Sequence, residues 1–207
     1  MESRFGNART QTKEENAVVL DFLPYGYPLE NKMMPLAQAI GTSHFTLLQL
    51  VPRRGEKFEI GEIAYIGEGK REKVQYILGR CPREKLTETA KIQLEEFVEK
   101  SVKENEQKFV DFFNSAQAMN TRLHQFELLP GLGKKHTQAI LEARDEKSFE
   151  SFEDIKKRVH NMPDPARVVE KRIMEELTEL KRHNLFIGYI EKKWKKIKEI
   201  TKRKKLP

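Results

Sequence analysis

The stretch Leu128-Leu129-Pro130-Gly131-Leu132-Gly133-Lys134-Lys135 decides how the second half of this chain is read. Two glycines one residue apart, after a proline and before a helix former, let the backbone take positive φ and bring bare amides close to a ligand. Gly131 and Gly133 are the predicted pivots. From Lys134 to Arg144 the residues Ala139, Ile140 and Ala143 fall at helical spacing. This predicts a helix whose first-turn N–H groups and positive dipole end face the hairpin. Such an end attracts an anion, most simply a phosphate. Upstream, Asn120 or Thr121 is suited to cap a short helix carrying Leu123 and Phe126, giving the order helix, tight turn, helix. A plain helix-to-helix turn would account for Pro-Gly-x-Gly, but would leave Lys134 and Lys135 without a purpose.

The residues Leu129 to Lys135, with Ile140-Leu141-Glu142-Ala143-Arg144 behind them, resemble the helix-hairpin-helix motif, which binds nucleic-acid backbones without reading sequence. The pattern is duplicated. Ser151-Phe152-Glu153-Asp154 has capping-box spacing ahead of Ile155 and Val159, so a third helix starts near Ser151. Asn161-Met162-Pro163-Asp164-Pro165 then breaks the chain, with Asp164 suited to N-cap and Pro165 to the first helical position. A fourth helix follows, with Val169, Ile173, Leu177 and Leu180 on one stripe. The second hairpin lacks glycine, so its amides are expected to be too hindered for a phosphate, and it is read as a structural half.

Charge is distributed unevenly over the 207 residues. Residues 191–207 hold nine basic residues against Glu191 and Glu199, which accounts for the whole formal net charge of +7 and leaves 30 basic and 30 acidic residues in positions 1–190. The basic character therefore belongs to a tail. Ile190, Trp194 and Ile197 fall on one helical face among Lys192, Lys193, Lys195 and Lys196, so the tail reads as a basic amphipathic helix for nucleic acid or an anionic membrane, or as a solvated tail. Nucleic acid is favoured because the hairpin independently points to phosphates. No apolar run is long enough to cross a bilayer. Residues 1–16 are polar, without the apolar stretch of a secretory signal, and are expected to be disordered in a cytoplasmic protein. Cys81, the only cysteine, excludes an internal disulfide framework and any cysteine-rich zinc site.

At the front, Ala17 to Phe22, His44 to Val51, Glu62 to Ile66 and Lys73 to Leu78 read as strands. The last two are expected to pair as a hairpin through Gly67-Glu68-Gly69-Lys70-Arg71. The stretch from Pro24 to Ser43 is read as mostly loop, with Met34 to Ile40 able to form one helical turn or two. Short strands in so few residues suggest a small curled barrel similar to the oligonucleotide-binding (OB) fold, with one strand unaccounted for. Such barrels stack bases on aromatics beside basic groups. Tyr65 and Tyr76 are candidates, though alternation groups them with Ile63, Val74 and Leu78 and favours the core. Arg53, Arg54, Lys57, Lys70, Arg71, Lys73 and Arg80 cluster on or near the loops. Leu86 to Phe113 reads as one long connecting helix.

Phe58-Glu59-Ile60-Gly61-Glu62, Tyr65-Ile66-Gly67, Phe109-Val110-Asp111-Phe112-Phe113-Asn114, Arg122-Leu123-His124, Leu128 to Lys135 and Phe149-Glu150-Ser151-Phe152-Glu153-Asp154 together resemble a largely archaeal family of uncharacterised proteins described as RNA- or nucleotide-binding. The resemblance covers nearly the whole chain and implies a barrel followed by a tandem helix-hairpin-helix. It gives no reaction, and through an association of the family's genes with translation and ribosomal-RNA modification it implies RNA over DNA.

The expected fold is thus α+β. It comprises a disordered segment (1–16), an OB-like β-barrel (17–85), a connecting helix (86–118), an all-α tandem helix-hairpin-helix domain (119–190) and a basic tail (191–207). Catalysis is not expected. The carboxylate pairs Glu95/Glu96, Glu153/Asp154 and Glu175/Glu176 point about 100° apart on a helix and so rarely converge on a metal. The histidines show no short ligand spacing, and no triphosphate-binding loop is present. No metal and no cofactor are assigned. The expected partner is nucleic acid, RNA favoured, bound by Gly131, Leu132, Gly133, Lys134, Lys135, Arg53, Arg54, Lys70, Arg71, Lys192, Lys193, Lys195 and Lys196, with no membrane. The alternative is a protein–protein adaptor in a translation or RNA-processing complex.

Removal of residues 191–207 should leave a folded protein with weaker, less salt-dependent binding. If about half of the tail's cations displace counterions, the slope of log K against log salt should flatten by roughly 3 to 4 units. A salt titration of both forms checks this; an unchanged slope makes the tail a bystander.

Overall fold

The computed structural model describes residues 14–28, 33–179 and 181–187. Its first half is a five-stranded antiparallel sheet of β1 (Asn16–Leu23), β2 (Leu36–Gly41), β3 (Leu47–Pro52), β4 (Ile63–Tyr65) and β5 (Val74–Arg80), in the order β4-β1-β2-β3-β5. The sheet curls into a half-barrel around Ala17, Val19, Ala37, Ala39, Leu48, Leu50, Phe58, Ala64, Ile66 and Val74. Its other face carries Leu20, Ile40 and Leu47 into a second core shared with the helices. β2 and β3 are buried on both faces, which removes the in/out alternation an exposed sheet would show.

Three expectations for this half are corrected. The unaccounted strand is β2, in the segment read as mostly loop. Leu36 and Ile40, four residues apart, fit a helix stripe and one face of a strand equally well, and pairing with β1 and β3 decides between them. β4 and β5 do not form a hairpin: β4 pairs with β1, β5 pairs with β3, and the two lie at opposite edges of the sheet. An ion pair of 2.6 Å between Lys73 Nζ and Glu62 Oε1 joins the segments leading into those edges. Finally, order begins before residue 17. The Glu14 carboxylate is buried and accepts the amides of Ser43, His44 and Thr46, fixing the turn between β2 and β3. Residues 1–13 lie outside the described residues.

A polar knot fastens the sheet to the first helix. Gln38, with 0% exposure in the middle of β2, donates from Nε2 to the Lys85 carbonyl (2.7 Å) and to Tyr27 Oη (3.1 Å), and accepts the Thr87 amide (3.0 Å). Gln49 donates to the same Tyr27 oxygen at 2.8 Å. Burial pushes the Tyr27 phenol up to about 12 and raises the neighbouring Cys81 thiol, so both stay neutral. Thr87 caps α1 (Glu88–Glu104) by accepting the Ala90 amide, and donates to Asp21 Oδ2 at 2.5 Å.

The connector is two helices, not one. α1 ends at Asn105, whose φ of −113° and ψ of 35° leave helical geometry and whose Nδ2 donates to the Ser101 carbonyl, and α2 (Glu106–Ser115) starts after it. α1 packs on β1 with one side and on the last helix with another. α2 delivers Phe109, Phe112 and Phe113 to an aromatic cluster with Phe126 and Phe186. A short ribbon of β6 (Ala118–Asn120) and β7 (Leu123–His124) leads to a 3-10 turn (Gln125–Leu128), the Leu129–Gly133 hairpin and α3 (Lys134–Glu146). α4 (Phe152–Arg158) is capped by Ser151 and α5 (Pro165–Thr178) by Asp164 with Pro165 at its first position, as the sequence predicts. Val169 and Ile173 are fully buried and Leu177 half-buried; Leu180 lies outside the described residues. None of the helices is long and apolar enough to cross a membrane, among the described residues.

Gln38→Ala would remove the hydrogen bonds that Gln38 makes to the Thr87 amide and the Lys85 carbonyl in a buried position. It should cost about 2–4 kcal/mol, as for a buried hydrogen-bonded group, while Tyr76→Ala on the exposed edge should cost under about 1 kcal/mol. Urea denaturation of the two variants measures the difference.

Candidate nucleic-acid interface

The hairpin is held from both ends. The Leu129 amide donates to the Phe126 carbonyl (3.0 Å) and the Leu132 amide to the Leu129 carbonyl (3.2 Å), while the side chains of Leu129 and Leu132 are 2% and 5% exposed. Leu132, expected to touch the ligand, is therefore an anchor: its side chain is in the core and its N–H is already used. Gly131 takes a left-handed φ of 84°, which admits glycine at no steric cost. Gly133 does not share that conformation. Its φ of −111° and ψ of −171° are extended, so it serves as the N-cap of α3 and not as a second pivot. No side chain caps this helix, and its first closing bond is Thr137 N–H to the Gly133 carbonyl. The preceding amides are left to solvent or a ligand. A Cβ built on Gly131 or Gly133 meets nothing within 4 Å. Lys134 and Lys135 are exposed beside this opening.

The turn before the hairpin differs from expectation. Asn120 and Thr121 belong to the β6–β7 ribbon and its bend, and the cap is His124. His124 Nδ1 accepts the Phe126 amide at 3.2 Å, while the Glu127 carboxylate accepts the His124 amide at 2.9 Å, a reciprocal capping box. Burial, and then the nearby Arg144 guanidinium, lower the His124 pKa below its ordinary value and keep Nδ1 free to accept.

The second hairpin repeats the backbone of the first. Met162 N–H donates to the Val159 carbonyl as Leu132 N–H does to Leu129, Met162 is buried like Leu132, and Asn161 takes a φ of 54° where Gly131 takes 84°. Asparagine is among the few side chains that tolerate this region. The likeness ends at the next residue, where Pro163 has no N–H. His136, in the first turn of α3, reaches the Asn161 carbonyl at 3.2 Å, so the two hairpins share one end of the helical half.

The rim of the half-barrel gathers another part of the expected set. Arg53 Nε donates to the Arg71 carbonyl (3.0 Å) and Arg71 Nε to the Gly67 carbonyl (2.9 Å), which draws residues 53–57 and 67–71 together. Arg54 and Lys70 are exposed on these loops. Tyr65 and Tyr76, for which the core was favoured, are 40% and 39% exposed. They belong to edge strands, where only one face is covered. No hydrogen bond or ion pair joins this rim to the Gly131 hairpin among the described residues. Lys192, Lys193, Lys195 and Lys196 lie outside the described residues, as do Trp194 and Ile197.

Two of the carboxylates weighed above, Glu176 and Asp154, have structural partners. Glu176 accepts Arg172 Nε at 2.7 Å and the amides of Leu185, Phe186 and Ile187, and Asp154 accepts the Glu150 amide and Arg158. Sequence reasoning passed over Arg172, which is 4% exposed and whose Nη1 donates to the Leu128 carbonyl at 2.8 Å, fixing the hairpin's entry. Its signal was an Arg-x-x-x-Glu pair on a helix, indistinguishable in sequence from a surface pair.

The molecule is thus an α+β protein in which a curled antiparallel half-barrel and a five-helix assembly meet across α1. It belongs to the family described as "Protein of unknown function (DUF655)", matched over residues 13–188. It is 41% identical over 194 residues to "Uncharacterized protein MJ0038" of Methanocaldococcus jannaschii, covering 93% of this chain and 87% of that one. It is also similar to the crystal structure of Af1531 from Archaeoglobus fulgidus, with 42% identity and a TM-score of 0.73 over 84% of this chain and 99% of the other.

Because His124 binds its proton less readily in the folded state than in the unfolded one, its contribution to stability is complete above the ordinary value of 6.5 and is lost as pH falls below it. The urea midpoint should therefore decline from pH 7 toward pH 5, and His124→Gln should reduce that decline.

Proposed function

We propose that this chain is a non-catalytic nucleic-acid-binding protein, RNA favoured over DNA, that grips the phosphate backbone at its first hairpin. One observation carries the reading: a helix N-terminus without a side-chain cap follows a left-handed glycine beside two exposed lysines, where a Cβ on Gly131 or Gly133 would meet nothing within 4 Å. Free amides on a helix dipole favour an oxyanion, and the lysines add charge without reading bases. Two hairpins with one backbone path support the tandem helix-hairpin-helix reading of the helical half. The five-stranded half-barrel with a basic, Tyr-bearing rim supports the OB-like reading of the other. The basic tail would add sequence-independent affinity. A protein adaptor is the second reading, favoured by the exposed Ile63 and Leu78 on the two edge strands.

Gly133→Ala is the sharp probe. The new methyl meets no protein atom, so the fold should lose about 1 kcal/mol or less. With an oxyanion held on the first-turn amides, the methyl would narrow its approach from the open side, and affinity should fall roughly tenfold, the worth of one charge-assisted hydrogen bond. Lys134→Ala with Lys135→Ala should reduce the salt slope by about 1 to 2 units, equally across sequences. Anisotropy competition among single-stranded RNA, duplex RNA and duplex DNA at two salt concentrations measures these effects. Failure of all three to bind at low salt would select the adaptor.

A further inference from the structure

We propose that the rim around Tyr65 holds the terminal phosphomonoester of a nucleic-acid strand, as an anchoring point separate from the hairpin; this rests on the nucleic-acid reading above. Four groups converge on the turn after β4. The Tyr65 ring lies over Gly67 and Gly69: a Cβ on Gly67 would come within 2.5 Å of Tyr65 Oη, and the Gly69 amide donates to that oxygen at 3.1 Å. Glycine at 67 is what lets the ring lie there. Arg71 reaches the Gly67 carbonyl beneath it, and Arg53 reaches the Arg71 carbonyl in turn.

Both guanidinium groups are positioned by backbone carbonyls through Nε alone. Their terminal Nη forks are not paired with a carboxylate among the described residues. The two loops, residues 53–57 and 67–73, carry six basic residues against three acidic ones, and Lys73 is paired with Glu62. Two like charges parked at one turn are stabilised by a ligand that brings at least as much negative charge. An internal phosphodiester carries one charge and offers two free oxygens, enough for one fork. A terminal phosphomonoester carries about −1.5 to −2 at neutral pH and three acceptor oxygens, which suits two forks. The terminal nucleotide also has an open base face, and the 40% exposed Tyr65 ring, fixed by its bond to Gly69, is a ready surface for it. Arg54 and Lys70 then flank the next phosphates.

The test uses the full chain and labelled single-stranded RNA of about 12 nucleotides bearing a 5′-phosphate, a 3′-phosphate or hydroxyls at both ends. One of the phosphorylated oligomers should bind about tenfold more tightly than the hydroxyl-terminated one, the gain of one further charge-assisted contact. The quantity read is that ratio. Arg53→Lys with Arg71→Lys keeps the charge but removes the forks, and should bring the ratio below about two; Tyr65→Leu should lower it in part. Equal binding of the three oligomers, or a ratio unchanged in the double lysine variant, overturns the proposal. So does displacement by adenosine 5′-monophosphate at low micromolar concentration, which would make the ligand a free nucleotide. Equal binding of all three leaves the backbone-gripping reading standing, whereas absence of any binding at low salt removes both.

Discussion

The helical half depends on Arg172. Its guanidinium is almost wholly buried, paired with Glu176, and donates to the Leu128 carbonyl and to the His183 carbonyl at 2.5 Å. Glu176 in turn accepts three successive amides from Leu185 to Ile187, which places Phe186 against Phe109 and Phe112. One ion pair on α5 thus fixes the entry to the first hairpin and the path of the chain after α5. Such a pair adds little net stability compared with apolar replacement, but losing one partner leaves an uncompensated buried charge. What it provides is position: the hairpin's backbone starts from a carbonyl that cannot drift.

α1 transmits that rigidity to the half-barrel. Its apolar stripe of Ala90, Leu94, Val98 and Val102 is covered on the sheet side and on the α5 side, so a single continuous core runs from Leu20 and Ile40 to Ile173. The polar knot of Gln38, Tyr27, Gln49 and Thr87 sets the register of that contact. Apolar packing alone would tolerate sliding, whereas a fully buried amide with three fixed partners does not. The proposed phosphate contacts at the hairpin and at the rim are therefore held on one framework.

The two hairpins illustrate how a backbone path outlasts the residues that first suggest it. Gly131 and Asn161 adopt the same left-handed conformation and Leu132 and Met162 are both buried, and the hairpins part after them: Gly133 leads into α3 without a side-chain cap, whereas Pro163 is followed by Asp164, which caps α5. Gly133 presents an amide and no side chain, whereas Pro163 has no N–H. Under the proposed function, these differences would leave the oxyanion to the first hairpin, while the second makes the contact with His136.

Sequence alone determined the features whose causes are local. The first hairpin, the start of α3 at Lys134, the Ser151 and Asp164 caps and the Pro165 helix start were legible because glycine, proline and short polar side chains act within three or four residues of themselves. The α+β class was legible from the change of apolar period. Tertiary structure decided the rest. β2 became a strand only because two neighbours bury both its faces, and β4 and β5 separated because pairing with β1 and β3 outweighs the short turn between them. Tyr65 and Tyr76 are exposed because their strands are edges, which no alternation pattern reveals. Arg172 is buried because its partner, the Leu128 carbonyl, lies 44 residues away in the chain and only the folded core brings it within reach.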